Sequence, residues 1–406
     1  MKAQAVQMVF DHFYGVLNLG FWGYVAAAIA TLHITLIAIT LFYHREQAHR
    51  SVDLHPALRH FFRFWLWLNT GAITKQWVAV HRKHHATCET KDDPHSPQIY
   101  GLGTVLLQGA LLYRREANNP ATLDKYGHGT PDDWLERNVY TGWPNAGIAS
   151  LFFADVVLFG VPGVILYAIQ MITMPLLAAG VINGLSHAKG YRNFETLDAS
   201  TNLWPFAVFV AGEELHNNHH AFPSSAKFSQ RPWEIDMGWL HLKLFGMLGL
   251  ARIRRVAPRP QLVEARTTPD HEALRAILIN RMHVLRHYTH SVTLPVLRRE
   301  VAPSADNAHG LMRRAKSWFS RHPSLLDQGS QQRLMELMDK YPSLKTVVEF
   351  RNELRNLWEG AHTSNDRLLA DLKGWCARAE ESGIQALEEF ADYLKSFRSV
   401  PQPAAS

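Results

Sequence analysis

Three clusters of histidine residues carry the chemistry that this sequence indicates most strongly. They are the pair His44 and His49, the trio His81, His84 and His85, and the trio His216, His219 and His220. Neutral imidazole is a good ligand for iron, zinc and copper, and a structural zinc ion takes only four ligands. Eight clustered imidazoles therefore predict two metal ions, each held by four or five nitrogen atoms.

The spacing within the clusters also fits two metals. On an α-helix, residues i, i+3 and i+4 share a face, so His81, His84 and His85 can point into one cavity. Adjacent residues such as His84 and His85 differ in direction by about 100°, which lets them serve two neighbouring metals. A fourth element, Asn183 with His187, places an amide and an imidazole one helical turn apart.

Other sequence features exclude competing chemistries. The chain has neither the H-E-x-x-H motif of zinc proteases nor the G-x-S-x-G elbow of serine hydrolases. Its only cysteines are Cys88 and Cys376, which excludes a disulfide scaffold and a four-cysteine zinc site. The remaining histidines, among them His95 and His128, are expected to be ordinary surface or core residues.

The order of the motifs, H-x4-H, H-x2-HH, N-x3-H and H-x2-HH, resembles the membrane-bound fatty-acid desaturase family, specifically its acyl-CoA delta-9 branch of bacterial type. The resemblance covers about residues 20–250 and continues around the clusters. The matching flanks are Asp93–Pro97, similar to the DPH-containing signature of that branch, Gly190–Arg192, Gly212–Leu215, Ala221–Pro223 and Trp233–Asp236.

The resemblance implies an enzyme that uses O2 to introduce a cis double bond, at delta-9, into a long-chain saturated fatty-acyl group at a non-haem di-iron centre. Asn183 matches a position that reaches iron through a water molecule. Glu213 and Asp93, close to the clusters in sequence, are expected to orient the imidazoles. The implied iron ligands are His44, His49, His81, His84, His85, His187, His216, His219 and His220.

The acyl substrate is expected on either coenzyme A or a phospholipid. Arg114 and Arg115 match a basic pair near the head group of the acyl carrier, Asn69 resembles another head-group contact, and Trp77 is a candidate for lining the acyl tunnel. Each turnover needs two electrons, and the chain lacks the His-Pro-Gly-Gly motif of cytochrome b5 and a flavin fingerprint. An external donor, such as a ferredoxin or flavin reductase system, is therefore expected.

Long uncharged stretches predict an all-α integral membrane protein with three or four transmembrane helices under a cytoplasmic helical cap. A bilayer core of about 30 Å requires roughly 20 apolar residues. Phe21–Phe42 fits one span, and 143–159 with 163–186 fit a hairpin broken at Gly160–Gly163. Met8–Leu19 is too short to cross and is expected to be an interfacial or re-entrant lead-in.

The clusters can build one site only if they lie on the same side of the bilayer. The segment Phe61–Val80, between the first two clusters, therefore cannot cross, and is expected to be an interfacial or buried helix with Arg63 and Lys75 snorkelling. Basic residues concentrate in the loops that carry the clusters, which predicts a site on the cytoplasmic side of the bacterial inner membrane.

The composition changes after about residue 252. Residues 1–252 form the predicted membrane domain, and 253–406 alternate charged and apolar residues at helical spacing, as in the stripe of Leu334, Leu337 and Met338. This helical extension is expected to be a cap or a docking module. Residues 372–387 faintly resemble the helical end of some bacterial transposases, but no acidic catalytic set accompanies them, so no nucleic-acid partner is expected.

Two alternatives remain open from the sequence. A related membrane di-iron hydroxylase or ketolase would share the irons but insert oxygen. A non-catalytic membrane metal-binding protein would use the same histidines without chemistry, and would carry ligands across the bilayer centre.

The formal net charge of +6 is spread along the chain and favours an anionic membrane surface as much as nucleic acid.

Overall fold

A computed structural model of the protein describes residues 13–301, 308–359 and 364–398. The described chain is mostly helical, as predicted. It divides into two compact units, one of residues up to 191 with 200–257, and one of residues 192–199 with 258–406. The predicted boundary after residue 252 stays a prediction. Residues 8–12 of the predicted lead-in Met8–Leu19 lie outside the described residues.

The first unit consists of helices and two short pairs of β-strands. Its α-helices are α1 (Phe21–Ala38), α2 (Pro56–Thr70), α3 (Thr74–Thr87), α4 (Pro97–Tyr100), α5 (Leu102–Ala117), α6 (Pro120–Tyr126), α7 (Pro144–Phe159), α8 (Val161–Pro175), α9 (His216–Ala221) and α10 (Met237–Met247). The π-helices Ile39–Ala48 and Leu176–Ile182 extend α1 and α8, Glu136–Tyr140 precedes α7, and a 3-10 turn covers Leu185–His187. Strand β1 (Val52–Leu54) pairs antiparallel with β4 (Ala251–Ile253), and β2 (Phe206–Ala207) pairs parallel with β3 (Ile235–Asp236).

Two helices of the described chain are long and apolar enough to cross a membrane. They are Phe21–Ala48, of 28 residues, and Val161–His187, of 27 residues. The third predicted span corresponds to α7, an apolar helix of 16 residues that is about 24 Å long and so shorter than a bilayer core of about 30 Å. The predicted hairpin turn lies at Gly160, whose φ of +68° suits glycine alone.

The segment predicted as one helix over Phe61–Val80 is two helices. Gly71, in the left-handed conformation with φ of +60°, ends α2, and α3 begins at Thr74. The expectation that Arg63 snorkels was wrong. Its side chain is buried and donates to the carboxylates of Asp133 and Glu136. A charge buried inside a protein is stabilised by an oppositely charged partner.

The second unit has a hydrophobic core of its own. Its α-helices are α11 (His271–Ile279), α12 (Arg281–Tyr288), α13 (Leu294–Val301), α14 (Ala308–Phe319), α15 (Gln328–Lys340), α16 (Pro342–Glu359), α17 (Asn365–Glu380) and α18 (Gln385–Lys395), with a π-helix at Thr289–Thr293 and a 3-10 turn at Pro323–Leu325. Strands β5 (Gln261–Leu262) and β6 (Phe397–Arg398) pair antiparallel. Segment 192–199 belongs to this unit, where Glu195 is buried between Arg351 and Arg355.

The buried ion pair of Arg63 yields a stability prediction. Arg63→Ala leaves the nearly buried Glu136 without its cation, so we expect the free energy of unfolding to fall by about 3–5 kcal/mol. The control is Arg137→Ala, which breaks an exposed pair with Asp132 and should cost less than about 1 kcal/mol. Unfolding of both variants in detergent, followed by circular dichroism, compares them. Equal losses would contradict a stabilising role for the Arg63 pair.

Candidate metal centre

A π-helix brings His44 and His49 together. Their spacing of five residues would point the two side chains about 140° apart on an α-helix. The segment Ile39–Ala48 is instead a π-helix, in which residue i+5 donates to residue i, and the N–H of His49 donates to the carbonyl of His44 at 3.0 Å. The wider turn places the two imidazole rings side by side, with centroids 4.9 Å apart.

The clustered histidines converge in two groups. The first group consists of His44, His49, His81, His85 and His219, whose ligand atoms lie within 4.8 Å of one another. The second group contains His84, Cys88, His187 and His220 on the same criterion, and the Nε2 atom of His216 lies 3.0 Å from that of His187 and 3.1 Å from that of His220. The adjacent residues His84 and His85 thus belong to different groups, as do His219 and His220.

Carboxylates fix the tautomers of three of these imidazoles. The Nδ1 atom of His44 lies 2.8 Å from Glu213, that of His84 lies 3.0 Å from Asp93, and that of His187 lies 2.9 Å from Glu89. A carboxylate only accepts hydrogen bonds, so each Nδ1 carries the proton and each Nε2 carries a bare lone pair. These lone pairs point into the two groups.

The donor set fits metal ions. Nε2 atoms of the first group approach one another closely, at 2.8 Å between His49 and His81 and at 3.0 Å between His44 and His219. The Nε2 of His44 has no proton to donate, and a cation in this group would share the lone pairs that the crowded imidazoles direct at one another. Nitrogen donors of this kind suit iron, zinc or copper.

Burial keeps the imidazoles in the neutral form that binds metal. Desolvation, and then the neighbouring imidazoles, lower the pKa of His49, His81, His85 and His219 well below its usual value. Although burial acts to raise it, the pKa of Asp93 lies well below its usual range, because its electrostatic interaction and hydrogen bond with His84 prevail. A neutral imidazole beside an ionised carboxylate is the arrangement that strengthens a histidine ligand.

Three residues at the second group were missed by the sequence argument. Glu89 orients His187, and the Sγ atom of Cys88 lies 3.8 Å from the Nε2 of His84. His95, expected to be ordinary, is only 4% exposed and stacks on His84 with ring centroids 4.5 Å apart. A signal for Cys88 was available, since it follows His84 by four residues and so shares its helix face.

A cavity of about 700 Å³ opens beside the two groups. Most of its lining is apolar, with contributions from α1, α3, α5 and the α7–α8 hairpin, and His44, His81 and His216 lie in its wall. Five further predicted site residues line it, namely Asn69, Trp77, Arg114, Asn183 and Glu213. The lining residues described do not include Arg115, which is exposed on α5. The volume lies within the range of about 300–1,000 Å³ usual for small-molecule sites.

The aromatic wall of the cavity continues directly onto the histidines. Trp77 stacks on His81 with centroids 5.0 Å apart and an interplanar angle of 15°, and on Tyr43 at 5.2 Å and 22°. The hydroxyl of Tyr43 donates to the carbonyl of Ala72, in the break between α2 and α3. The break at Gly71 therefore positions the aromatic part of the cavity wall, which lies beside the first group.

Adjacent aspartates give a matched test of the metal centre. Asp93→Asn removes the charge that supports His84, and we expect metal affinity to fall by about 10–100-fold. Asp92→Asn changes the neighbouring exposed residue and should leave the affinity unaltered. Metal content after equilibration with graded chelator concentrations distinguishes the two. Equal retention by both variants would show that the carboxylate of Asp93 does not support a metal ligand.

Comparison with known proteins identifies relatives for both parts of the chain. The family model described as fatty acid desaturase matches residues 19–243, and one described as transposase matches residues 273–400. The first match covers the predicted range of the desaturase resemblance, about residues 20–250, as far as residue 243, and the second includes the residues that resemble transposases.

Three curated relatives illustrate the similarity. Delta-9 acyl-lipid desaturase 1 of Arabidopsis thaliana is 30% identical over 243 residues, covering 57% of this chain and 74% of the relative. The sn-1 stearoyl-lipid 9-desaturase of Anabaena variabilis is 30% identical over 247 residues, covering 59% and 87%. Acyl-CoA 5-desaturase AL21 of Anemone leveillei is 30% identical over 233 residues, covering 54% and 70%.

Proposed function

Because this chain belongs to the fatty acid desaturase family, and is therefore a fatty-acyl desaturase, we propose that it uses O2 and a di-iron centre to introduce a cis double bond, at delta-9, into a long-chain saturated acyl group. The observation that carries the proposal is the convergence of nine histidines on two groups beside a largely apolar cavity. An apolar cavity suits an acyl chain, and two metals suit the reduction of O2 to water, in which the acyl chain and the external donor each supply two electrons.

We assign one iron ion to each group. The ligands of the first are His44, His49, His81, His85 and His219, and those of the second are His84, His187, His216 and His220. Asn183 lines the cavity and would reach the second iron through a water molecule. Glu213, Asp93 and Glu89 hold the Nδ1 protons of His44, His84 and His187, so these rings cannot turn away from the metals.

The residues around the centre would position the acyl chain and keep water away. Two iron ions, when bound, supply the O2-derived oxidising power needed to remove two hydrogens from an unactivated methylene pair. Trp77 and Tyr43 form a rigid wall that fixes the depth of the chain relative to the first group, which would select the bond that reacts. Met171 and Met174 of the hairpin complete the apolar surface.

The polar ends of the cavity favour a head group at its mouth. Arg114 is exposed and reaches the lining, so it would contact a phosphate of either coenzyme A or a phospholipid, whereas Asn69 is buried in the wall. The names of the Arabidopsis and Anabaena relatives favour a lipid-bound acyl group and position 9, and that of the Anemone relative keeps acyl-CoA open. The two electrons would come from a separate ferredoxin or flavin reductase system.

Expression in a bacterial strain that requires unsaturated fatty acids tests the activity. We expect the chain to rescue growth and to produce cis-monounsaturated acyl chains, located at delta-9 by derivatisation and mass spectrometry. His84→Ala and His219→Ala each remove one ligand from one group and should abolish the product. His128→Ala alters an exposed histidine and should leave it unchanged. Full activity of both ligand variants would contradict the proposal.

The same lipid analysis separates the two alternatives. Hydroxylated or keto lipids without growth rescue would identify a related oxygen-inserting enzyme. Two metals per chain with an unaltered lipid profile would identify a metal-binding protein without chemistry.

We further propose that the protein spans the bacterial inner membrane with the metal groups on the cytoplasmic side. The two long apolar helices support placing the metal groups on one side of the membrane, since His44 and His187 lie at or near the C-terminal ends of Phe21–Ala48 and Val161–His187. The basic residues in the loops that carry the clusters favour the cytoplasmic side. A hairpin of α7 and α8 would place its turn in the periplasm.

Reporter fusions test this topology. A phosphatase reporter fused after residue 160 should be active, because that enzyme works only in the periplasm, and one fused after residue 130 should be inactive. A cytoplasmic reporter such as a fluorescent protein should give the opposite pattern. A cytoplasmic location for residue 160 would contradict the hairpin.

A further inference from the structure

Cys88 brings a sulfur atom to the second histidine group. It follows the last residue of α3, one helical turn beyond His84. Its Sγ atom lies 3.8 Å from the Nε2 of His84, the nitrogen that faces the group. It also lies 4.0 Å from the Nδ1 of His187, the nitrogen that donates to Glu89. The sulfur and the ligand atoms of His84, His187 and His220 all lie within 4.8 Å of one another.

These distances match those between ligands of one metal ion. Metal–sulfur and metal–imidazole bonds of about 2.3 Å and 2.1 Å place the two donor atoms about 3.1 Å apart at a right angle and about 3.8 Å apart at 120°. The separation of 3.8 Å between Cys88 and His84 is therefore compatible with a shared metal, without rearrangement of α3.

The position of the sulfur is fixed by the same carboxylate that orients His84. Asp93 accepts from the Nδ1 of His84 at 3.0 Å and from the backbone N–H of Glu89 at 2.9 Å. Glu89 adopts a positive φ of 63° and reaches back to the Nδ1 of His187. The backbone at Cys88 therefore lies between two points held by hydrogen bonds, which keeps its Cα atom beside the group.

We propose that Cys88 is a ligand of the second metal, which makes that group a mixed nitrogen–sulfur site beside a group of nitrogen donors alone. The proposal rests on the proposed metal centre and deepens it. On binding, the thiol would release its proton to solvent and the thiolate would bond the metal. A thiolate is a softer donor than imidazole, so the second group would favour zinc, cobalt or copper(I) more strongly than the first.

Cobalt(II) is the probe, because a thiolate bound to cobalt gives an intense sulfur-to-metal charge-transfer band in the near ultraviolet and imidazole does not. The experiment uses full-length protein in detergent, stripped of metal and titrated with cobalt(II). Four proteins are compared: the unmodified chain, Cys88→Ser, Cys88→Ala and Cys376→Ala. The last is the matched control, since Cys376 is the only other cysteine and is buried in the second unit.

We expect the band in the unmodified chain and in Cys376→Ala, and its loss in both Cys88 variants, which should still bind cobalt through the histidines. Near-ultraviolet circular dichroism and cobalt stoichiometry establish that the variants are folded and loaded. Cobalt binding with no charge-transfer band in the unmodified chain, or a band that survives Cys88→Ser, would overturn the sulfur ligand and leave the metal centre standing. No cobalt binding by any of the four would instead overturn the proposed metal centre itself.

Discussion

The constraint on which the site depends is the crowding of imidazole lone pairs in a dry interior. His44, His84 and His187 donate their Nδ1 protons to Glu213, Asp93 and Glu89, respectively. Their unprotonated Nε2 atoms therefore face the neighbouring imidazoles. Two unprotonated nitrogen atoms about 3 Å apart cannot hydrogen-bond each other, and burying them without a partner costs free energy. A cation that shares their lone pairs would offset that cost.

Much of the local backbone follows from that constraint. A regular α-helix cannot bring residues five apart to one face, and the π-helix over Ile39–Ala48 does so for His44 and His49 at the expense of regular hydrogen bonding. A second π-helix, Leu176–Ile182, precedes Asn183 in the same way. Irregular backbone of this kind costs stability, and its occurrence beside the two groups is the expected signature of a functional site.

The sequence predicted the part of the site that depends on local periodicity. The i, i+3, i+4 spacing predicted that His81, His84 and His85 share one face of a helix. The difference of about 100° between the side-chain directions of adjacent helical residues predicted that His84 and His85 belong to different groups. Periodicity could not predict the π-helix, because no residue pattern distinguishes it from an α-helix. Nor could it identify Glu89 or the partners of Arg63, since these contacts join segments far apart in the chain and depend on how the helices pack.

The two groups differ in charge as well as in donor atoms, so two identical ions placed in them would not behave identically. The first group has five imidazoles and one adjoining carboxylate, Glu213, among the contacts described, whereas the second has four imidazoles and two, Asp93 and Glu89. Negative charge close to a cation raises its affinity and stabilises its more oxidised form. With metals bound, the carboxylates alone would therefore make the second group the tighter and more electron-rich position, before any contribution from sulfur.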